Sequence, residues 1–240
     1  MIGDDLVGQL GSRLPNDHAR QTLAQVSAAS WCTQLDQPAD QPLRVLDLGC
    51  GAGASIDFFR QIEPGVSWVG ADISDSAEVR ERTRADADFV TFNGTELPFA
   101  DRSFDLVFSN QVFEHVRDPE LLLGDVHRVL RAGGLLIGST SQMEPFHSAS
   151  FWNFSVPGFV TLLEDAGLET LEVRPGIDAL TLILRRGLGA PAAFDRFWSK
   201  PSPLNRAIDL VARVRRAPPR WTNAAKLLFC GQFVFVARRP

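Results

Sequence analysis

The sequence predicts an α/β fold in which a mostly parallel sheet carries helices on both faces. Three observations support this prediction. Strand-like apolar runs alternate with helical patterns from residue 43 onward. Runs such as FDLVFS are uniformly apolar, as in strands that are buried on both faces. A glycine-rich stretch, VLDLGCGAGA, ends the first strand. Strands joined by crossover helices form parallel sheets, so these patterns favour one layered domain.

The predicted elements follow the chain in a regular order. A helical segment and a proline-punctuated linker come first, at 14–35 and 37–42. The predicted strands span 43–48, 66–71, 88–92, 104–109, 134–140, 168–174 and a last run at 227–238, and the helices span 54–62, 76–84, 118–131 and 157–166. In a further helix at 204–216, Leu204, Ile208, Val211 and Val214 share one face.

These patterns divide the chain into four segments. We expect an N-terminal helical segment covering the site at 1–42, a ligand-binding core at 43–174, a basic helical insertion or cap at 175–226, and a strand returning to the core sheet at 227–240.

The composition indicates a globular protein and argues against a membrane-spanning or a disulfide-rich secreted one. The apolar fraction of 45% is ordinary for a globular domain, and no apolar run approaches the roughly 18 residues that a membrane span needs. The start of the chain, MIGDDLVGQL, is acidic where a secretory signal would be basic. The three cysteines form neither a CxxC pair nor a disulfide framework. The sequence therefore predicts a cytoplasmic protein without a structural metal site.

The net charge of −5 conceals a basic segment. Residues 190–240 hold ten Lys or Arg against two Asp, a local charge of +8. Such a segment fits either an anionic partner or substrate, or a solvated helix face beside an acidic body. By itself it does not predict nucleic-acid binding, which would need a wider basic surface and base-reading elements.

The glycine-rich stretch indicates a ligand with an adenosine part. Gly49, Gly51 and Gly53 form a turn after the first strand, where a ligand can approach backbone N–H groups closely. Asp72 ends the second strand, where an acid accepts hydrogen bonds from ribose hydroxyls. Asp47 would repel a pyrophosphate near this turn but attract a sulfonium or ammonium group. The charge therefore favours a cationic cofactor over a dinucleotide.

Together, VLDLGCGAG, the acid of ADIS, the block LPFADRSFDLVFSNQVFEHV and the turn LRAGG resemble the class I S-adenosylmethionine (SAM) dependent methyltransferases, in the branch that acts on small molecules. The resemblance covers about residues 43–174 and the last strand. It implies a Rossmann-like, seven-stranded, mostly parallel sheet whose final strand is antiparallel and lies at the edge. It also implies SAM as cofactor and S-adenosylhomocysteine as product.

The resemblance assigns cofactor contacts residue by residue. It places the amino-acid end and the sulfonium of SAM against Asp47 and the glycine turn, and the ribose on Asp72. Where the family usually has an Asp for the adenine amino group this chain has Asn93, whose carbonyl can still accept that hydrogen bond. The remaining predicted contacts are Gly94 and Thr95 beside it, and Asn110 and Gln111 after the fourth strand.

The acceptor side is predicted from one loop and one motif. His147, on the loop after the fifth strand, is the predicted general base, and His115 of FEHV is the second candidate. Aromatic and polar residues of the same loop could hold a sugar or ring system, or could belong to the core. The candidates for substrate contact are Phe146, Ser150, Trp152 and Phe154.

The favoured function is methyl transfer to an oxygen, or less readily a nitrogen, of a small molecule that is sugar-bearing, anionic or a natural-product intermediate. One alternative is a non-catalytic SAM-binding partner or sensor protein, which the Asn93 departure keeps open. A second is a nicotinamide-dependent oxidoreductase, which leaves Asp47 unexplained. The oligomeric state is not predicted.

Overall fold

A computed structural model of the protein describes residues 3–36, 41–145 and 148–240. Seven strands form one sheet: β1 (Arg44–Leu48), β2 (Ser67–Asp72), β3 (Asp88–Thr91), β4 (Phe104–Asn110), β5 (Leu130–Ser141), β6 (Glu169–Pro175) and β7 (Gln232–Arg238). Their order across the sheet is β3-β2-β1-β4-β5-β7-β6. The α/β class, the seven strands and the Rossmann-like arrangement predicted from the sequence are confirmed.

The final strand is antiparallel, as predicted, but it does not lie at the edge. β7 pairs antiparallel with β5 on one side and with β6 on the other, so β6 is the edge strand. Phe233, Phe235 and Val236 are fully buried there. An apolar strand is more stable between two neighbouring strands than at a sheet edge that is exposed to water, because less of its apolar surface then contacts solvent.

The helices surround the sheet. They are α1 (Asp4–Leu10), α2 (Ala24–Cys32), α3 (Ser55–Ile62), α4 (Ala77–Arg80), α5 (Pro119–Val129), α6 (Val156–Asp165), α7 (Ala179–Gly187), α8 (Arg196–Ser199), α9 (Pro203–Arg215) and α10 (Pro219–Leu227). Alternate residues of the central strands point to opposite faces. Leu46 and Val107 enter one apolar layer, and Val45, Leu106 and Phe108 enter the other. None of the described helices is both long and apolar enough to cross a bilayer.

The long N-terminal helix predicted at 14–35 is wrong in its first half, because only 24–32 are helical. Residues 14–23, here called the strap, instead run beside β6 and α10. Thr22 N–H donates to the carbonyl of Pro175 at 2.9 Å. The buried Lys226 ammonium donates to the carbonyl of Ala19 at 2.5 Å and pairs with Asp209 at 2.6 Å. These tertiary contacts satisfy backbone groups that a helix would otherwise satisfy internally.

Two further expectations about the C-terminal part are corrected. The run predicted as strand from 227 begins as strand only at Gln232, because α10 extends to Leu227. In α9 the predicted apolar face is packed only in its first half, where Ile208 lies against the cluster of Ala212 and Trp221. Asn205 and Ala212 are buried, whereas Val211 is 45% exposed and Val214 is 76% exposed. Asn205 turns inward because its side-chain amide donates to the carbonyl of Gly176 at 3.0 Å.

Candidate active site

The glycine turn joins β1 to α3, at the carboxyl ends of the parallel strands. Gly49, Gly51 and Gly53 have φ of 69°, 50° and 80°, a region that side chains disfavour. A Cβ on Gly49 would overlap the side chain of Val112. Position 49 therefore has to be glycine. Its backbone N–H donates to the carbonyl of Ala71 at 2.8 Å, which ties the turn to the end of β2.

Asp72 closes the turn from the end of β2. One of its carboxylate oxygens accepts from Gly51 N–H at 2.7 Å, and the other accepts from Ile73 N–H at 2.7 Å. The side chain is partly exposed, and each oxygen keeps a further lone pair. Asp72 can thus hold the turn and still accept hydrogen bonds from a pair of hydroxyls.

Asp47 lies beneath the turn rather than in the open. It is buried, and it accepts a hydrogen bond from Ser55 Oγ at 2.5 Å. The Ser55 Oγ accepts in turn from Trp68 Nε1 at 3.0 Å. Burial raises the pKa of Asp47 to about 7, the hydrogen bond from Ser55 opposes this, and the charge of Asp72 adds to it. A cation bound at the turn would favour the ionised form.

Arg82 contacts the glycine turn, and the sequence did not identify it as a site residue. Its guanidinium donates two hydrogen bonds to the carbonyl of Gly51, at 2.8 and 3.0 Å. The same group lies over the ring of Phe89, 3.8 Å from its centroid. Nothing in the local pattern of 76–84 singles out this arginine, because its partner is a backbone carbonyl about thirty residues earlier in the chain.

Asn93 occupies a tight turn after β3. Its carbonyl oxygen accepts from Thr95 N–H at 2.9 Å, Thr95 Oγ at 3.2 Å and Glu96 N–H at 2.8 Å. Gly94 adopts φ of 96° within this turn. The carbonyl expected to accept from an adenine amino group is thus already satisfied internally. The Asn93 amide N–H, 3.4 Å from Glu96 Oε2, is the group with capacity to spare.

Asn110 and Gln111 lie where β4 ends beside β5. Asn110 Oδ1 accepts from Ser139 Oγ at 2.8 Å, and Gln111, with φ of 59°, donates its backbone N–H to the carbonyl of Ser139 at 3.0 Å. The positive φ turns the chain sharply at the end of the strand. With its amide nitrogen facing the acid, Gln111 donates to Glu114 Oε1 at 2.9 Å.

Glu114 is a candidate that our reading of the sequence missed. It is fully buried, and it accepts from Thr140 Oγ at 2.9 Å and Ser141 Oγ at 3.2 Å. Ser141 Oγ also lies 2.8 Å from Glu144 Oε2, so two carboxylates meet at one hydroxyl. Burial raises the pKa of Glu114 to about 7, and the charge of Glu144 adds to that rise. The signal was present in FEHV, but a sequence does not show which of two adjacent polar residues is buried.

Of the two histidines predicted as general bases, only His115 lies among the described residues. His115 lies in a short 3₁₀ turn after β4 and is partly exposed, next to the buried Glu114. His147 and its neighbour Phe146 fall outside the described residues. Among the described residues, the carboxylates of Glu114 and Glu144 come together at the ends of β4 and β5.

The aromatic residues of the loop divide between core and surface. Phe154 is 8% exposed and packs 5.1 Å from the ring of Phe159, so it is a core residue and not an acceptor contact as predicted. Trp152 is 45% exposed, stacks on Phe154 and donates from Nε1 to the carbonyl of Val116 at 2.8 Å. Ser150 is partly exposed beside it. Trp152 and Ser150 stay available to a ligand.

A cavity of about 530 Å³ opens beyond the end of β5. Its apolar wall includes Leu6 of α1 and Leu227 of α10, and Asn153 and Ser155 supply polar groups. A cavity of this volume is large enough for a small molecule. Helices α1 and α10 build one wall of it.

Together the sheet, its antiparallel β7 and the glycine turn have the arrangement of the class I SAM-dependent methyltransferases. Residues 46–138, less than half of the chain, match the model of the methyltransferase domain family. SAM is the cofactor of this class. The residues present fit it, because Asp72 keeps lone pairs that ribose hydroxyls could use, and Asp47 places a carboxyl group beneath the turn, where a positive charge would favour its ionised form.

Known proteins similar to this chain agree on the class but not on the acceptor. A probable SAM-dependent methyltransferase of Mycolicibacterium smegmatis is 32% identical over 60% of this chain and 60% of its own length. A ubiquinone biosynthesis O-methyltransferase of Rhizobium etli is 36% identical over 44% and 45%. The chain thus spans less than two thirds of each relative.

The fold extends to more distant structures. Phosphoethanolamine N-methyltransferase 2 of Haemonchus contortus, solved with SAM, superposes with a TM-score of 0.56 at 19% identity, over 98% of this chain and 56% of that one. At this identity the likeness concerns the fold alone. Similar proteins therefore include both O- and N-methyltransferases.

Proposed function

We propose that this protein transfers a methyl group from SAM to a hydroxyl group of a small molecule. The observation that carries the proposal is the pair Glu114 and Glu144, which meets at Ser141 beside the cofactor side of the sheet. Methyl transfer to a hydroxyl gains from a base, whereas an amine needs only to arrive unprotonated.

When bound, SAM supplies an activated methyl group; the chain supplies alignment and charge. The glycine turn and Asp72 hold the cofactor, and Asn110 and Gln111 connect its end of the site to the carboxylates through Ser139. Alignment of this kind can lower the barrier by roughly 7–11 kcal/mol.

The carboxylates then receive the proton that the acceptor hydroxyl releases. Glu144 is the more exposed of the two, so it is the group proposed to face the acceptor, and Glu114 positions it through Ser141. Burial raises the pKa of Glu114 to about 7, so Glu114 itself can take up a proton near neutral pH.

The charges around the acceptor end favour a neutral acceptor group. Glu114 and Glu144 are acidic, and Asp5 lines the nearby cavity. A phosphate or carboxylate placed there would be repelled. We therefore propose a neutral, hydroxyl-bearing acceptor, for which Trp152 and Ser150 offer stacking and hydrogen bonding of the kind that sugars use.

The experiment follows a labelled methyl group from SAM into fractions of an extract of the source cells. Wild-type protein is compared with Glu144→Gln and with Glu120→Gln, a matched change on the exposed start of α5. We expect label in a polar small-molecule fraction, a loss of about 10²–10⁴-fold in rate for Glu144→Gln, and no loss for the control.

S-adenosylhomocysteine binding, measured by calorimetry, is the second readout. Unchanged binding with lost turnover in Glu144→Gln supports the base assignment. Full turnover in that variant overturns it. If the protein binds the cofactor but transfers no methyl group, in an extract whose other methyltransferases are active, the result favours a non-catalytic SAM-binding partner or sensor protein.

A further inference from the structure

Helices α7 and α9 expose apolar stripes that the fold does not use. On α7, Ile183, Leu184 and Leu188, just past its end, are 53%, 48% and 65% exposed. On α9, Leu210 and Val214 are 60% and 76% exposed. Leu184 and Leu188 are four residues apart, as are Leu210 and Val214, so each of these pairs lies along one side of its helix, and Ile183 is adjacent to Leu184. We call these two sets the outward stripes.

The outward stripes are separate from the sides by which α7 and α9 pack on the rest of the protein. Each helix already has a buried side, with Leu182 in α7 packing against Phe197, and Ala212 in α9 packing against Trp221. A helix that is apolar on a second side exposes apolar surface to water, which lowers solubility. Exposed apolar surface of this kind usually marks a site of interaction with another molecule.

The charge around the outward stripes is strongly positive. Residues 179–216 contain eight Lys or Arg and two Asp, a net charge of +6. Both acids are already occupied, since Asp195 pairs with Arg185 at 2.9 Å and Asp209 pairs with the buried Lys226 at 2.6 Å. Among the described residues, no acidic partner pairs with Arg186, Arg206, Arg213, Arg215 or Arg216.

These charges decide between possible occupants. A second copy of the chain in a two-fold interface would place the same arginines against one another, which is repulsive. An anionic lipid surface offers negative headgroups to the arginines and an acyl region to the leucines. We propose that the outward stripes of α7 and α9 seat the protein on an anionic lipid bilayer, without crossing it.

Helices α7 and α9 pack against each other, so the two outward stripes lie on neighbouring helices. The proposal does not depend on which acceptor is methylated, and it stands apart from the activity.

The test is flotation of the purified full chain with vesicles. One set is neutral phosphatidylcholine, and the other contains about one third phosphatidylglycerol. Leu184→Ser/Val214→Ser removes two stripe residues, and Leu121→Ser changes an equally exposed leucine, 64% accessible, on α5. We expect binding only to anionic vesicles, a loss of about tenfold or more in the double variant, and none in Leu121→Ser.

The charged part is tested separately. Arg186→Gln/Arg213→Gln should weaken binding to anionic vesicles by about tenfold, and so should a rise in salt. Failure to float with either vesicle, or equal binding by the stripe variant and the Leu121→Ser control, overturns the proposal. Binding of an acidic protein, or a stripe-dependent dimer in light scattering, would overturn it too. Unchanged S-adenosylhomocysteine binding shows that the variants are folded.

Discussion

The side chain of Val112 occupies the space in which a Cβ on Gly49 would have to stand. The glycine turn after β1 and the chain after β4 are therefore packed face to face. Val112 is separated from Glu114 by one residue, so the turn that would hold the cofactor fits directly against the loop that carries Glu114.

Gly49→Ala should abolish S-adenosylhomocysteine binding and destabilise the fold, because the new Cβ meets Val112 and the φ of 69° is strained for alanine. Adding Val112→Ala relieves the overlap but not the strain. We expect calorimetry to show partial recovery of binding in the double variant. Wild-type affinity in Gly49→Ala alone would contradict the packing described here.

Asp72→Ala should weaken S-adenosylhomocysteine binding by about tenfold or more, because two hydrogen bonds to a charged group are lost at the ribose. Asp75→Ala, an exposed acid paired with Arg80, is the control and should bind normally. An unchanged affinity in Asp72→Ala, measured by calorimetry, would remove this residue from the cofactor site.

Stability should fall as pH rises through neutrality. The pKa values of Asp47 and Glu114 are raised to about 7, so their contribution is fully present below pH 4 to 5 and is lost by about pH 8. Glu114→Gln should behave like wild type at pH 5 and be more stable by about 1–3 kcal/mol at pH 8. Urea unfolding at both pH values measures this. Parallel pH profiles of the two proteins would count against a buried, neutral Glu114.

Lys226→Met should lower the free energy of unfolding by about 1–3 kcal/mol, because it leaves the carbonyl of Ala19 without its donor and Asp209 without its cation. Lys200→Met, on the exposed surface, should change stability little. Urea unfolding compares the two. Equal stability of both variants would mean that the strap is not held by this lysine.

The sequence was most informative where chemistry and backbone geometry coincide. The glycine turn, Asp72 and the strand pattern could all be read because a positive φ or a buried strand restricts the residue types that fit. Glu114 could not be separated from His115 in this way, because both are polar and only tertiary packing decides which is buried. The strap was misread as helix because its backbone partners, Pro175 and Lys226, lie far away in the chain.

The position of β7 between β5 and β6 also sets an order of events during folding. Among the strands of the described residues, β6 pairs with β7 alone, and β7 is synthesised later. Residues 169–175 therefore have no strand to pair with until residues 232–238 have been synthesised. The part of the sheet from β3 to β5 has no such dependence and can form first. We expect β6 to be the strand most exposed to chaperones and misassembly while the chain is being made.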